Sequence, residues 1–287
     1  MKIHFFPTVW TDCILLEKDG HYGLVDCHMN LEKFNNYMAG IGVSKLDFII
    51  LTHFHQDHYG SIAPVVKKYD VEKVIFKDFS GVVSCTSNGK PADDQYRLDE
   101  TNICNELKET IKEYSRLIMS NETDEVFLDD IKLKLFYREN IMRTIYDDET
   151  SPAYNRFVSG ENNNNMPVFF EYKGRNVLLA GDITDAKTKD ERTDFMNNRL
   201  AKKLNCKLDI YKCAHHGKGA GTPETLNIYK PDYTVITNKV ENSAEAVELL
   251  KNANPDMEIY IMSNGGKVFN IDEQGEITVT DLIGYTE

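Results

Sequence analysis

The feature that most restricts the fold is a dense group of ligand-type side chains directly after a strand-like segment. Residues 46–51 are almost wholly apolar, which is typical of a strand covered on both faces. His53 and His55 follow two positions apart, so on extended backbone their side chains project to the same side. Asp57 and His58 then enter the turn that begins the next helix. The sequence therefore predicts four ligand-type groups that converge on one small volume.

This cluster has the chemistry of a metal site. Imidazole nitrogens and carboxylate oxygens are ligands that zinc takes in catalytic sites, where one position stays open for water. A set of unrelated surface histidines is the alternative interpretation. The chain has only 8 histidines, however, so three of them at this spacing by chance is improbable.

Two further candidate ligands follow strand-like runs later in the chain. Residues 177–180 run into Gly181 and Asp182, and residues 208–214 run into His215 and His216. Taken singly, Asp182 has the alternative of a helix N-cap, and His215 that of a hydrogen-bonded histidine at the sheet's rim. Their joint occurrence after strands, downstream of the first cluster, favours the metal site.

The order of the predicted elements indicates the fold class. Strand-like runs alternate with helices in both halves of the chain, with helices predicted over residues 31–40, 93–120 and 185–204 and a long loop over 146–165. Two similar β-rich halves, each flanked by helices, predict an α+β protein with a four-layer αββα sandwich. We expect residues 1–287 to form a single domain.

The composition indicates which kind of partner and which cellular compartment to expect. The net charge of −13 disfavours broad nucleic-acid binding, which leaves a small-molecule substrate as the expected partner. No apolar run is long enough for membrane insertion, and the first residues lack a secretory signal. Six cysteines without a CxxC pair are typical of free thiols in a cytoplasmic protein. The oligomeric state is left open.

On these residues the chain resembles the metallo-β-lactamase superfamily. Its HxHxDH signature matches the cluster at residues 53–58, and the likeness covers nearly the whole chain. Within the superfamily, residues 180–182 and 215–217 resemble the ComEC-like branch. Residues 45–60 and 162–182 resemble the catalytic module of the cell-wall phosphorylcholine esterase.

The resemblance implies two zinc ions, with iron or manganese as alternatives. The implied ligands are His53, His55 and Asp182 for one ion, and Asp57, His58, Asp182 and His215 for the other. Many members supply another histidine before the bridging aspartate, where this chain has only asparagines at 162–165. His216 is the nearest spare imidazole, either to complete the first ion or to contact a substrate oxyanion. Which of the two adjacent histidines binds metal stays open.

The remaining site residues are expected around these ligands. Asp57 and His216 are the candidate catalytic groups, and Asp26 is expected to accept hydrogen bonds that orient the ligand turn. Asn164, Tyr59 and Trp10 are candidate substrate contacts. Trp10, Tyr59 and Tyr154 are the kind of residue that would cage a quaternary ammonium, with core or rim packing as the alternative.

The function these features favour is a dinuclear-metal hydrolase in which metal-activated water cleaves an ester bond. The leading hypothesis for the bond is a phosphodiester of a small polar substrate. A ComEC-like nuclease, a lactone or thioester hydrolase, and a metal-binding regulatory protein without turnover are the alternatives.

Overall fold

The computed structural model describes residues 1–81, 93–139, 160–186 and 194–284. Two β-sheets lie face to face, and helices cover the outer face of each. The element order therefore produces the four-layer αββα sandwich that the sequence predicts.

The first sheet contains eight strands among the described residues. In spatial order they are β19 (Ile277–Asp281), β18 (Lys267–Ile271), β1 (Lys2–Phe5), β2 (Cys13–Lys18), β3 (His21–Cys27), β5 (Phe48–Leu51), β7 (Lys73–Phe76) and β8 (Arg116–Met119). The strands β3, β5, β7 and β8 are parallel. Their carboxyl ends therefore lie at one edge of the sheet.

The second sheet contains seven strands within the same described ranges. In spatial order they are β17 (Glu258–Ile261), β16 (Tyr233–Ile236), β15 (Ile210–Lys212), β12 (Arg175–Leu179), β11 (Val168–Tyr172), β10 (Ile131–Leu135) and β9 (Glu125–Leu128). The strands β12, β15, β16 and β17 are parallel. Two short ribbons pair β4 (Lys45–Leu46) with β6 (Asp70–Val71), and β13 (Asp185–Ala186) with β14 (Asp194–Phe195).

Eight α-helices are formed by the residues described. They are α1 (Leu31–Gly40), α2 (Gln56–Tyr59), α3 (Ile62–Lys68), α4 (Asp94–Tyr114), α5 (Gly160–Asn163), α6 (Met196–Leu204), α7 (Pro223–Tyr229) and α8 (Ala244–Ala253). Side-chain caps begin several of them. The Asn30 side chain accepts from the backbone N–H of Lys33 at α1, and Thr222 caps α7 ahead of Pro223. Within the described ranges, no helix is both long and apolar enough to cross a bilayer.

Three apolar clusters hold the layers together. The central cluster lies between the sheets and draws on both, with Phe48 and Phe269 from the first and Phe170 from the second. A second cluster packs α1, α3 and α4 on the outer face of the first sheet. A third packs α6, α7 and α8 on the outer face of the second. The burial of β5 on both faces explains its continuous apolar sequence.

Two predicted helices are shorter than the sequence pattern indicated. The helix expected over residues 93–120 ends at Tyr114, and Arg116–Met119 forms the strand β8 beside β7. Its apolar residues fit a helical face and a strand equally, and an open sheet edge decided between them. Of the helix expected over 185–204, Met196–Leu204 is helical, whereas β13 and β14 pair as a ribbon and residues 187–193 lie outside the described residues.

The long loop predicted over residues 146–165 is wrong at residues 160–163 and untested before them. Gly160–Asn163 forms the helix α5, while 146–159 lie outside the described residues. This one-turn helix matters because it lies beside the candidate site.

Candidate metal centre

The predicted ligands meet where the carboxyl ends of the parallel strands of both sheets come together. The turn with His53, His55, Asp57 and His58 follows β5, and Asp182 follows β12. His215 and His216 follow β15, which is parallel to β12. The shared strand direction brings residues from three distant parts of the chain to one edge.

Four side chains form the centre of this group. Asp57, His58, Asp182 and His216 each offer one ligand-type atom, and these four atoms lie within 4.8 Å of one another. Asp182 Oδ1 is 3.3 Å from His58 Nε2, and Asp182 Oδ2 is 3.4 Å from His216 Nε2. Asp57 Oδ2 is 3.2 Å from the same His216 nitrogen. Asp182 thus faces both imidazoles with different oxygens.

Hydrogen bonds behind the site aim both imidazoles. His58 Nδ1 lies 2.7 Å from Asp26 Oδ2, and His216 Nδ1 lies 2.8 Å from Thr237 Oγ1. Asp26 accepts, and Thr237 is free to accept because its own hydroxyl donates to Asp12 Oδ1 at 2.8 Å. The Nδ1 atom of each ring therefore donates away from the centre, and each Nε2 faces the centre as the nitrogen that could bind a metal ion.

Three more imidazoles lie beside this central group. His53 Nε2 is 4.0 Å from Asp182 Oδ2, and His215 Nε2 is 3.9 Å from the same oxygen. His55 Nδ1 is 3.1 Å from His53 Nε2. His53 and His215 thus lie near the Asp182 oxygen that also faces His216, and His55 lies beside His53.

Unpartnered atoms show that this arrangement suits a cation. His58 Nε2 and Asp182 Oδ1 are both buried and have no hydrogen-bond partner among the residues described. Buried polar atoms are normally hydrogen-bonded, because an unmade bond leaves their desolvation uncompensated. A cation between a neutral imidazole nitrogen and a carboxylate oxygen would satisfy both. The donor set therefore fits a divalent metal ion.

The pKa shifts of the histidines also indicate a site that favours positive charge. Burial lowers the pKa of His216, but nearby carboxylates, led by Asp182, outweigh burial and raise the pKa to about 10. The same balance holds the pKa of His58 well above its usual value. Burial lowers the pKa of His53 well below its usual value. These carboxylates stabilise positive charge at His58 and His216, which is the charge that a metal ion supplies.

The asparagine-rich segment supports the ligand turns from behind. Glu161 Oε1 accepts from the backbone N–H of Phe54 at 3.0 Å, and its Oε2 accepts from that of Ser80 at 2.9 Å. Asn165 Oδ1 accepts from the backbone N–H of Asp182 at 2.9 Å. Gly181 has φ +55, and a Cβ there would lie 2.2 Å from that same Asn165 oxygen. Segment 161–165 therefore fixes both the histidine turn and the Asp182 turn.

The Glu161→Gln variant tests this support. Glutamine would place an amide donor against one of the two backbone N–H groups, so we expect a loss of about 1–3 kcal/mol in the free energy of unfolding. Urea denaturation measures it. The exposed β11 variant Glu171→Gln is the control, with an expected change within about 0.5 kcal/mol. Equal stability of the two variants would show that the carboxylate does not hold the turn.

The other residues expected near the site are placed as follows. Asp26 Oδ1 accepts from the backbone N–H of Thr52 at 2.8 Å, which ties the strand end to the start of the ligand turn. Trp10 lies edge-on to His216, with ring centroids 6.0 Å apart. Tyr59 stacks on Phe54 at 4.2 Å.

Asn164 and Asn162 lie deeper than the loop interpretation implied. Asn164 is fully buried, and its amide nitrogen donates to the carbonyl of Asp78 at 2.9 Å. Asn162 Nδ2 lies 3.1 Å from His215 Nε2. The run of asparagines therefore belongs to the buried surroundings of the histidines.

Sequence reasoning missed two buried charges beside the centre. Lys212 is fully buried, and its ammonium contacts the carboxylate of Asp12, which is 1% exposed. The Lys212 Nζ atom also donates to the carbonyl of Gly181 at 3.0 Å and lies 3.7 Å from Asp182 Oδ1. A lysine inside an otherwise apolar strand was the available signal, because lysine is almost never fully buried without a partner.

Comparisons with known proteins agree with this fold. The family model of the metallo-beta-lactamase superfamily matches residues 11–80, which include the turn with the clustered histidines. ComE operon protein 3 of Bacillus subtilis (strain 168) is 22% identical over 204 residues, covering 70% of this chain. Those residues are 21% of the relative, so the chain spans about a fifth of its length.

Two solved structures share the fold over their whole length. The metallo-beta-lactamase fold protein YhfI from Bacillus subtilis has a TM-score of 0.52 at 13% identity, covering 97% of this chain and 99% of that chain. Igni18, a metallo hydrolase from the archaeon Ignicoccus hospitalis KIN4/I, has a TM-score of 0.50 at 14% identity, covering 98% and 99%. The fold is thus the metallo-β-lactamase fold. The family model of the superfamily of that name matches residues 11–80 of this chain, and members of that superfamily are mostly metal-dependent hydrolases.

Proposed function

We propose that this chain is a dinuclear-metal hydrolase that cleaves a phosphodiester of a small polar substrate. The observation that carries the proposal is the pair of unpartnered, buried atoms His58 Nε2 and Asp182 Oδ1, in the same small volume as Asp57 and His216. The resemblance to the ComEC-like branch, which the match to ComE operon protein 3 fits, and to the phosphorylcholine esterase module favours phosphodiesters.

We assign the ligands of the two ions by proximity. One ion is held by Asp57, His58, Asp182 and His216, whose ligand-type atoms are grouped most closely. The other is held by His53, His55 and Asp182, with His215 as the further imidazole beside the same Asp182 oxygen. This assignment exchanges the two adjacent histidines relative to the family pattern, and His215 takes the place of the histidine absent from residues 162–165.

The chemistry at such a site needs a nucleophile and a proton acceptor. When bound, two divalent ions, zinc with iron or manganese as alternatives, lower the pKa of a water molecule and hold the oxygens of the phosphate. Asp57 is the most exposed of the four central ligands, with 34% of its side chain accessible, so its carboxylate can orient that water and accept its proton. Asp26 and Thr237 keep the two imidazoles in place during the reaction.

Metal analysis and substrate assays test the proposal. Protein purified without chelator is expected to hold about two equivalents of zinc, iron or manganese per chain and to cleave bis(p-nitrophenyl) phosphate. EDTA is expected to abolish cleavage, and added zinc to restore it. Less than one equivalent of metal would favour a regulatory protein without turnover.

Assays of the same purified protein distinguish the alternative substrate classes. Lactone or thioester hydrolysis without phosphodiester cleavage would reject the phosphodiester assignment while keeping the metal hydrolase. Metal-dependent degradation of DNA would favour a nuclease, against which the net charge of −13 argues through its repulsion of the phosphate backbone.

A further inference from the structure

An ammonium group without an acidic partner lies at the rim of the metal centre. Lys218 follows the 3₁₀ turn Ala214–Gly217, which contains His215 and His216. Its Nζ atom lies 4.2 Å from the centroid of the Trp10 ring. Across the described part of the chain, no carboxylate lies within 4 Å of this Nζ atom, and Lys218 is exposed. This positive charge is therefore available to a ligand.

The backbone holds Trp10 in place beside the centre. Trp10 has φ +57, in the left-handed region that a bulky residue rarely occupies. Its backbone N–H donates to the carbonyl of Thr237 at 3.0 Å, so the loop before β2 is tied to the strand end that also orients His216. A strained residue fixed by surrounding structure is typical of a functional site.

The charges around Lys218 indicate which kind of ligand its ammonium attracts. The nearby side chains Asp12, Asp26, Asp57 and Asp182 are acidic, and the whole chain carries −13. Lys212 is buried on Asp12 and Asp182, so it does not reach the solvent side. Lys218 is close enough for its charge to act on His215. Lys218 therefore offers a positive charge, close to His215, to an anionic substrate that approaches this acidic region.

We propose that Lys218 and Trp10 form a wall that selects substrates bearing an anionic group and disfavours those bearing a quaternary ammonium. A quaternary ammonium binds to a free aromatic face. In this protein the ammonium of Lys218 already covers one face of Trp10, so a second cation at that face would have to displace it against charge repulsion. The proposal rests on the proposed function and narrows its substrate class away from choline phosphodiesters.

Binding measurements on metal-loaded protein test the wall directly. Calorimetric titrations with phenylphosphonate and with choline compare the wild type, Lys218→Met and the control Lys132→Met. Lys132 also lies over an aromatic ring, that of Phe127 at 5.6 Å, but at the start of β10, at the sheet end away from the site. We expect the wild type and the control to bind phenylphosphonate at least tenfold more tightly than choline, and Lys218→Met to weaken phenylphosphonate binding by about tenfold.

Kinetics supply a second readout. Lys218→Met is expected to raise KM for bis(p-nitrophenyl) phosphate by about tenfold with kcat within threefold, because the contact is equally present in substrate and transition state. Unchanged phenylphosphonate affinity in this variant, or tighter binding of choline than of phenylphosphonate by the wild type, would overturn the proposal. If the expected binding differences are found but no phosphodiester is cleaved, the wall stands and the proposed function fails.

Discussion

Asp182→Asn is expected to lower phosphodiester cleavage by about a thousandfold or more, which corresponds to ~4 kcal/mol of transition-state stabilisation. Asp182 is 1% exposed, and its two oxygens face His58 on one side and His53, His215 and His216 on the other. An amide offers one weaker acceptor in place of two charged oxygens, so it would hold the proposed metal ions less tightly. Steady-state kinetics measure the effect.

Metal content distinguishes this result from simple misfolding. The variant is expected to retain its circular dichroism spectrum and to hold about one equivalent of metal or less, compared with two in the wild type. Asp129→Asn, in the turn between β9 and β10, is the matched control and should retain both metal and activity. An Asp182→Asn protein with full metal content and near-normal rates would exclude Asp182 as the bridging ligand.

Lys212→Met is expected to destabilise the protein by about 3–5 kcal/mol, because it leaves the buried Asp12 carboxylate without its partner. Both side chains are at most 1% exposed, so solvent cannot replace the lost charge. For a chain of this size, the loss corresponds to a fall in Tm of roughly 5–8 °C. Thermal denaturation of the metal-free protein measures it, with exposed Lys132→Met as the control.

A double variant separates the ion pair from general packing. Asp12→Asn combined with Lys212→Met removes both charges, so it should be less destabilised than the sum of the two single variants. Additive losses would mean that the two groups do not interact.

The acid dependence of this pair follows from the pKa of Asp12. Burial raises that pKa, but the charges of Lys212, His216 and His58 together outweigh burial and hold it below its usual 3.8. The pair's contribution to stability should therefore be complete above about pH 4 and decline only as the pH falls below the unfolded-state value.

Local sequence determined the elements that carry the site. About a dozen consecutive residues contain both the apolar run of β5 and the spacing of His53, His55, Asp57 and His58. These features could therefore be predicted from the sequence alone. The alternation of strands and helices likewise indicated the αββα sandwich, because hydrophobic periodicity reports which faces are buried. The turn of Asp182 was predictable as a strand end for the same reason.

Tertiary structure alone decided how these parts meet. His215 and His216 are adjacent and chemically identical, and both have positive φ, so their directions depend on Thr237 and Asn162, which lie far from them in sequence. The contact of Lys212 with Asp12 joins residues 200 positions apart, and residues 116–119 became a strand because β7 offered an open edge. Such choices depend on the packing of distant segments, and no local pattern encodes them.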